Sequence, residues 1–265
     1  MKVSPPESRS GSRAGMSLAI ATLVAIVATL LVNALSNFFP IAGLNIGAVA
    51  NTILGGVQIT PANYAFAIWG LIYLGLIAYG VYQLGPAQRQ EATLRRASSL
   101  LIVACLAQIA WVYLFTLQLF WPSVAAMLVI LLPLIGAYLQ LHDGGRVSRD
   151  RKWLAHIPFS IYLGWISVAT IVNVASALYS SGWDRWGLSA TSWTVAMLVV
   201  ATIIGALVAI RRADIAFTSV FIWAFVAIAV RQLANSAIAA TAIGGAIVMA
   251  VLLIFGNRKH NQPHL

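Results

Sequence analysis

The chain has 265 residues, of which 61% are hydrophobic and only 8% are charged. Soluble domains carry charge on about 25% of their residues, so this composition excludes a water-soluble domain and indicates an integral membrane protein. The formal net charge of +10 would suit a nucleic-acid-binding protein. The basic residues lie where a membrane topology would place them, however, and we predict no nucleic-acid partner.

The first elements in chain order are a polar segment and an apolar run. Residues 1–15 are polar and contain Ser and Pro, which predicts a disordered N-terminal tail. The run 16–39 is longer than the ~7–15 apolar residues of a signal peptide and reaches the ~20 that span a bilayer. We therefore interpret it as a retained membrane helix, with a cleaved signal peptide as the alternative.

Seven further apolar runs follow, and each predicts a helix that crosses the membrane. They lie at residues 62–84, 97–119, 122–141, 155–179, 191–210, 215–231 and 234–256. The sequence therefore predicts an all-α fold, a polytopic helical membrane protein with eight spans. The seventh span is short, and the turn that follows it, RQLANS, is tight.

The Lys and Arg residues occupy every second connection between the predicted spans. Cytoplasmic loops are enriched in Lys and Arg, and all of the 16 basic residues except Arg185 and Arg231 fall on one side of an eight-span arrangement. Both termini, with a basic tail at 257–265, are then cytoplasmic, and a plasma membrane and a thylakoid membrane fit equally. Arg231 either extends its head to the interface or is tied to Gln232 or Asn235.

The sequence contains few groups that could carry chemistry within the membrane. Its six acids all lie in tails, connections or helix ends, whereas ion-coupled carriers usually need an ionisable group inside a span. His142 and His156 flank a basic loop, and the other two histidines lie in the C-terminal tail. His156 is interpreted as solvated or interfacial, with a haem ligand as the alternative. We predict no catalytic residue and no metal ligand, and the residues do not favour an enzyme.

Mostly aromatic and amide side chains of three spans fall in the outer-to-middle part of the membrane, given a rise of ~1.5 Å per residue. They are Trp69 and Tyr73 in the second span, Gln108 and Trp111 in the third, and Trp165, Ala169 and Asn173 in the fifth. Polar groups at such depth turn away from lipid, which predicts an aromatic-walled ligand pocket inside the bundle. The alternative is that the amides only join helices and the indoles only pack.

The connection 40–60 carries no charge and lies on the same predicted side as this pocket. It contains four glycines around a short apolar stretch. It is predicted either to fold over the pocket as a lid or to be a passive link.

The motifs of spans two, three and five resemble the TspO/MBR family of tryptophan-rich sensory proteins, relatives of the mitochondrial translocator protein. Span five, YLGWISVATIVN, is similar to the family's Tyr-Leu-Ala-Trp-x-Ser-x-Ala-Thr-x-x-Asn. Span two, TPANYAFAIWGLIY, is similar to Thr-Pro-Pro-Asn-Trp-x-Phe followed by Trp-x-x-x-Tyr, and span three has a Gln-x-x-Trp in place of Asn-x-x-Trp. The predicted ligand-binding residues are Asn63, Phe66, Trp69, Tyr73, Gln108, Trp111, Tyr162, Trp165, Ala169 and Asn173.

The resemblance implies a five-helix bundle over residues 16–181 and three additional helices over residues 182–256, as in long cyanobacterial members. It implies binding of porphyrins, and in some members sterols, with links to stress and tetrapyrrole regulation. No cofactor is implied other than a porphyrin held as a ligand. Some bacterial members promote light-dependent porphyrin breakdown with a pocket Trp, whose position Trp165 matches.

We therefore expect a membrane binding or sensory protein for a flat hydrophobic ligand. The alternatives are an uncoupled transporter of a hydrophobic small molecule and an enzyme that degrades a porphyrin. The expected partners are the lipid bilayer and the ligand. The small residues of span eight, ANSAIAATAIGGAIVMA, permit close helix contact and suggest a further packing face or a homodimer.

Overall fold

The computed structural model describes residues 7–143 and 147–260, with side chains over 15–143 and 147–255. Eight long helices follow one another in chain order. They are α1 (Glu7–Phe38), α2 (Ile68–Tyr82), α3 (Ala92–Thr116), α4 (Phe120–His142), α5 (Ile157–Ser180), α6 (Ala190–Arg212), α7 (Ile215–Arg231) and α8 (Ser236–His260). No strand occurs in the described ranges. The predicted all-α, polytopic fold is confirmed.

Seven helical segments are long and apolar enough to cross a membrane. They are Gly15–Phe38, Asn63–Tyr82, Ala92–Thr116, Phe120–His142, Arg149–Ser180, Ala190–Arg212 and Ser236–Phe255. The helix α7 has 17 residues, which is about 26 Å at the usual rise and less than the ~30 Å of a hydrocarbon core. The eighth span therefore stays a prediction.

The connections between helices meet in two groups, one at each end of the bundle. At one end, Gln232 Nε2 donates to the Gln58 carbonyl at 2.8 Å and Trp121 Nε1 donates to Ser181 Oγ at 2.8 Å. At the other end, Arg151 pairs with Glu91. We call the first group the predicted outer end and the second the predicted inner end. The chain thus changes ends with every helix, α7 included.

The three C-terminal helices attach to the rest of the bundle mainly through α7, which packs on α5. Gly164 permits this contact, because a Cβ at that position would lie 3.1 Å from the Phe217 carbonyl oxygen and 3.1 Å from Val220 Cβ. In α8, a Cβ on Gly245 would lie 2.6 Å from the Phe225 ring. Part of the small-residue face of α8 therefore packs within the chain, and the homodimer and the domain division at 181/182 stay predictions.

Helix α1 begins at Glu7, so residues 7–15 of the expected disordered tail are helical. Extending a formed helix adds one hydrogen bond for each residue fixed, which allows the apolar part of α1 to continue into polar sequence. Residues 1–6 lie outside the described residues. The predicted basic tail at 257–265 likewise overlaps α8, and residues 261–265 lie outside the described residues.

Two histidines at the predicted inner end pack against each other, which favours the interfacial over the solvated alternative for His156. His156 is 8% exposed, and its ring centroid lies 4.6 Å from that of His142. His142 Nε2 lies 3.6 Å from Asp214 Oδ2, which also accepts from Ser160 Oγ at 2.6 Å. Asp214 is the N-cap of α7, accepting from a backbone N–H of that helix, so this cluster joins α7 to α4 and α5.

Candidate functional site

A cavity lies between α2, α3, α4 and α5 toward the predicted outer end, and we call it the chamber. Its free volume is about 50 Å³. Its walls are almost entirely apolar and include three indoles and two side-chain amides. The lining residues are Ile46, Ala50, Thr60, Pro61, Phe66, Trp69, Gln108, Trp111, Phe115, Met127, Trp165, Ile166, Val168, Ala169, Val172, Asn173 and Ser176. The three indoles that the sequence predicted to meet therefore face one hollow.

The aromatic rings around the chamber contact one another mostly edge to face. The centroid of Trp165 lies 5.9 Å from that of Phe66 at an interplanar angle of 85°, and 6.5 Å from that of Trp69 at 86°. Trp69 also stacks on Tyr73 at 5.5 Å and contacts Tyr162 at 6.1 Å. Such pairs are favourable geometries for aromatic rings, so the wall around Trp69 is held in place by ring contacts from α2 and α5.

A hydrogen-bond network fixes the part of the wall around Trp111 and Asn173. Trp111 Nε1 donates to Asn173 Oδ1 at 2.6 Å, and Asn173 Nδ2 donates to Ser123 Oγ at 2.9 Å. These three side chains come from α3, α5 and α4 and are buried. The interpretation of Asn173 as a tie between helices therefore holds. Ser167, by contrast, donates only to the Leu163 carbonyl of its own helix.

Gln108 is a polar side chain of the chamber lining that carries a buried donor without a partner among the described residues. It is 0% exposed, and its Oε1 accepts from the Tyr162 hydroxyl at 3.3 Å. Its Nε2 has no hydrogen-bond partner among the described residues. A buried donor without a partner costs ~1–3 kcal/mol, and such a group inside a cavity is satisfied when a ligand presents an acceptor.

The connection between α1 and α2 passes over the chamber, as the lid alternative predicted. Residues 46–53 form a short helix, Ile46–Ala48, followed by a π-helical turn, Val49–Ile53. Asn45 caps it by accepting from the Ala48 N–H at 2.8 Å. Ile46 and Ala50 line the chamber, and we call this segment, 46–53, the cover.

A polar hollow of about 480 Å³ opens beside the chamber and shares Ile46, Phe66 and Trp69 with it. We call it the vestibule. Five asparagines contribute to its lining, Asn33, Asn37, Asn45, Asn51 and Asn63. Phe66 and Trp69 thus form the partition between an apolar space and a polar one.

Helix α7 holds the segment that carries this partition. Residues 63–67 form a 3₁₀ turn before α2, where the sequence predicted continuous helix from residue 62. The Ala62 N–H donates to the Ala227 carbonyl at 3.1 Å, and Trp223 Nε1 donates to the Ala65 carbonyl at 3.1 Å. The segment before α2, which contributes Phe66 to the chamber, is therefore anchored on α7 by two hydrogen bonds.

Arg231 also reaches this segment, with partners other than those predicted. Its Nη1 donates to Asn51 Oδ1 at 2.8 Å and lies 3.4 Å from the Pro61 carbonyl oxygen. The alternative that tied Arg231 to Gln232 or Asn235 is wrong. Gln232 donates to the Gln58 carbonyl, and Asn235 donates to Thr191 Oγ1. Arg231 places a positive charge behind Asn51 in the vestibule wall, and no carboxylate among the described side chains pairs with it.

The structure thus brings most of the predicted site residues together. Those that line the chamber are Phe66, Trp69, Gln108, Trp111, Trp165, Ala169 and Asn173. Asn63 lies in the vestibule, and Tyr73 and Tyr162 lie behind Trp69. The sequence offered the cover as one of two alternatives for the connection 40–60, but it did not identify Ile46 and Ala50 as lining residues, the vestibule asparagines or the role of Arg231. The recurrence of asparagine at 33, 37, 45 and 51, around an otherwise apolar stretch, is the sequence pattern that could have predicted the vestibule.

This geometry defines a class: a polytopic helical membrane protein with a closed aromatic chamber under a polar vestibule. Residues 19–255 match the family described as TSPO-like protein, and the chain belongs to that family. The match confirms the resemblance seen in the motifs and takes in α6–α8 as well as the first five helices. No curated protein and no solved structure matches the chain. Family membership supports a membrane protein that binds or senses hydrophobic ligands.

Proposed function

We propose that the chamber binds a tetrapyrrole and that the protein acts as a membrane sensor of that ligand. The observation that carries the proposal is the convergence of three indoles on one cavity whose lining also includes Gln108, a side chain whose buried Nε2 has no partner among the described residues. Indole faces stack on flat conjugated ligands. An amide donor in a dry wall orients a ligand acceptor such as a carbonyl or a ring nitrogen.

The vestibule supports a ligand with an acidic edge over a neutral sterol. A porphyrin is largely apolar but carries carboxylates on one side. Its body would occupy the chamber while its carboxylates reach the vestibule, where Asn63 and the charge of Arg231 behind Asn51 lie. Hydrogen bonds to charged groups contribute about 1.5–3 kcal/mol, which a sterol hydroxyl would not gain.

The closed chamber explains how binding would be sensed. A free volume of about 50 Å³ is far below the ~300–1,000 Å³ of drug-sized ligand sites. A bound macrocycle must therefore displace the cover or the Phe66 side chain. Since Asn51 of the cover is bonded to Arg231 of α7, displacement of the cover is transmitted to the C-terminal helices.

The test is a titration of the purified protein with protoporphyrin and with its dimethyl ester, followed by the shift of the porphyrin absorption band. We expect Arg231→Gln to weaken protoporphyrin binding about tenfold relative to binding of the ester, which is about 1.4 kcal/mol, because any loosening of the cover affects both porphyrins alike. Arg211→Gln, an exposed arginine of α6, is the matched control. Absence of binding of either porphyrin by the unaltered protein would refute the proposal, and flux of ligand across proteoliposomes would assign the site to transport.

A further inference from the structure

A second cavity lies at the predicted outer end, between the end of α5 and the start of α6. Its volume is about 230 Å³, and none of its lining residues lines the chamber. Residues 56–58, which follow the cover, close one side, and Met197 of α6 lies in another wall. It is therefore a separate site, formed by α5, α6 and the connections before α2 and after α5.

Aromatic side chains make up much of the wall of this cavity. Trp183 and Trp193 contribute to it together with Tyr179, and the two indole centroids are 4.8 Å apart. Indoles at a membrane interface ordinarily sit at the headgroup level, as Trp186 does with 76% of its surface exposed. Trp183 and Trp193 are instead half-buried and turned toward an empty apolar space.

One cation, Arg185, lines this space, whose walls are otherwise mostly apolar apart from Gln58 and Thr194. Arg185 is half-buried, and no carboxylate among the described side chains lies within ion-pair distance of it. Its backbone is fixed, because its carbonyl accepts from Trp193 Nε1 at 2.7 Å and Asp184 Oδ1 accepts from the Trp186 N–H at 2.9 Å. Arg185 and Trp186 both have positive φ, 60° and 51°, a conformation that non-glycine residues adopt only where the surroundings enforce it.

From this combination we infer that the cavity binds a fatty acid: a single-chain amphiphile whose carboxylate pairs with Arg185 and whose alkyl chain lies against Trp183, Trp193 and Met197. A guanidinium and a carboxylate form a charge-assisted, bidentate pair, and the apolar walls suit a chain. The inference does not depend on tetrapyrrole binding in the chamber.

The experiment measures quenching of Trp fluorescence by dibromostearic acid, with the dibrominated alcohol of the same length as the neutral probe. The protein is the full chain in detergent micelles, and bromine quenches only indoles close to it. We expect the acid to bind at least tenfold more tightly than the alcohol. Arg185→Gln should abolish that difference, whereas Arg211→Gln should preserve it. Replacing Trp183 and Trp193 by Phe should remove most of the quenching.

A cavity-filling variant provides the second arm. Met197→Trp should abolish saturable quenching by both probes, while thermal unfolding verifies that the variant is folded. Equal binding of acid and alcohol to the unaltered protein, or an unchanged acid affinity in Arg185→Gln, would overturn the inference and indicate contact with bulk lipid only. Saturable quenching that survives in Met197→Trp would also overturn it.

Discussion

The indole nitrogen of Trp111 lies 2.6 Å from Oδ1 of Asn173, in a buried bond that joins α3 to α5. The same amide donates to Ser123 of α4. One side chain therefore fixes three of the helices that surround the chamber. Hydrogen bonds therefore hold the part of the chamber wall around Trp111 and Asn173, and ring contacts hold the part around Trp69 and Trp165.

Asn173→Leu roughly keeps the volume of the side chain but leaves Trp111 Nε1 without a partner, whereas Ser123 Oγ keeps its bond to the Phe120 carbonyl. An unsatisfied buried polar group costs ~1–3 kcal/mol, so we expect the free energy of unfolding to fall by that amount. Thermal or denaturant unfolding in micelles measures it. Ser167→Ala removes a hydroxyl that bonds only within its own helix and is the control, with an expected change below about 0.5 kcal/mol. Equal losses in both variants would contradict the role given to Asn173.

Gln108→Met removes the amide of Gln108 while keeping an unbranched apolar side chain of similar length. The free donor at Nε2 disappears, and the Tyr162 hydroxyl loses a long bond, so the two effects on stability oppose each other and the net change should be small. Affinity for protoporphyrin should fall about two- to tenfold, as expected for one hydrogen bond of ~0.5–1.5 kcal/mol. A large loss of stability with unchanged affinity would show that Gln108 serves packing alone.

Asn51→Ala tests whether the cover is held closed by the vestibule wall. Asn51 bonds the Gly47 carbonyl, Asn63 Oδ1 and Arg231 Nη1, so its loss should loosen residues 46–53. We expect faster hydrogen exchange in this segment and faster association of protoporphyrin, by roughly tenfold for one or two bonds of ~0.5–1.5 kcal/mol. Thr52→Val is the control, since Thr52 Oγ1 donates only to the Ala48 carbonyl. Exchange rates equal to those of the control would argue against a closed cover.

Gly164→Ala tests the contact between α5 and α7. The added methyl group would lie 3.1 Å from a carbonyl oxygen and a side-chain carbon of α7, and overpacking of this kind costs ~1–3 kcal/mol. Gly70→Ala is the matched control, because a Cβ there meets nothing within 4 Å and alanine has the better helix propensity by about 1 kcal/mol. Unfolding temperatures that move in the same direction for both variants would refute the close approach.

The sequence was sufficient for the helices and for most of the chamber, because both follow from local patterns. Apolar runs specify spanning helices, and Trp165, Ala169 and Asn173 share a face through their spacing alone. Arg231 could not be placed in this way, since its partner Asn51 is 180 residues distant and helix order around a bundle is not a local property. The packed histidines depend likewise on Asp214, whose burial results from α7 packing on α5.

The most direct measurement is the affinity for protoporphyrin of Trp69→Ala and Trp165→Ala, followed by porphyrin absorbance so that the lost indoles do not alter the readout. Trp153→Ala, an exposed indole at the predicted inner end, is the control. Loss of a stacking ring and its apolar surface should weaken binding at least tenfold, about 1.4 kcal/mol, in both chamber variants and leave the control unchanged. Affinities equal to that of the unaltered protein in all three variants would contradict the chamber as the ligand site.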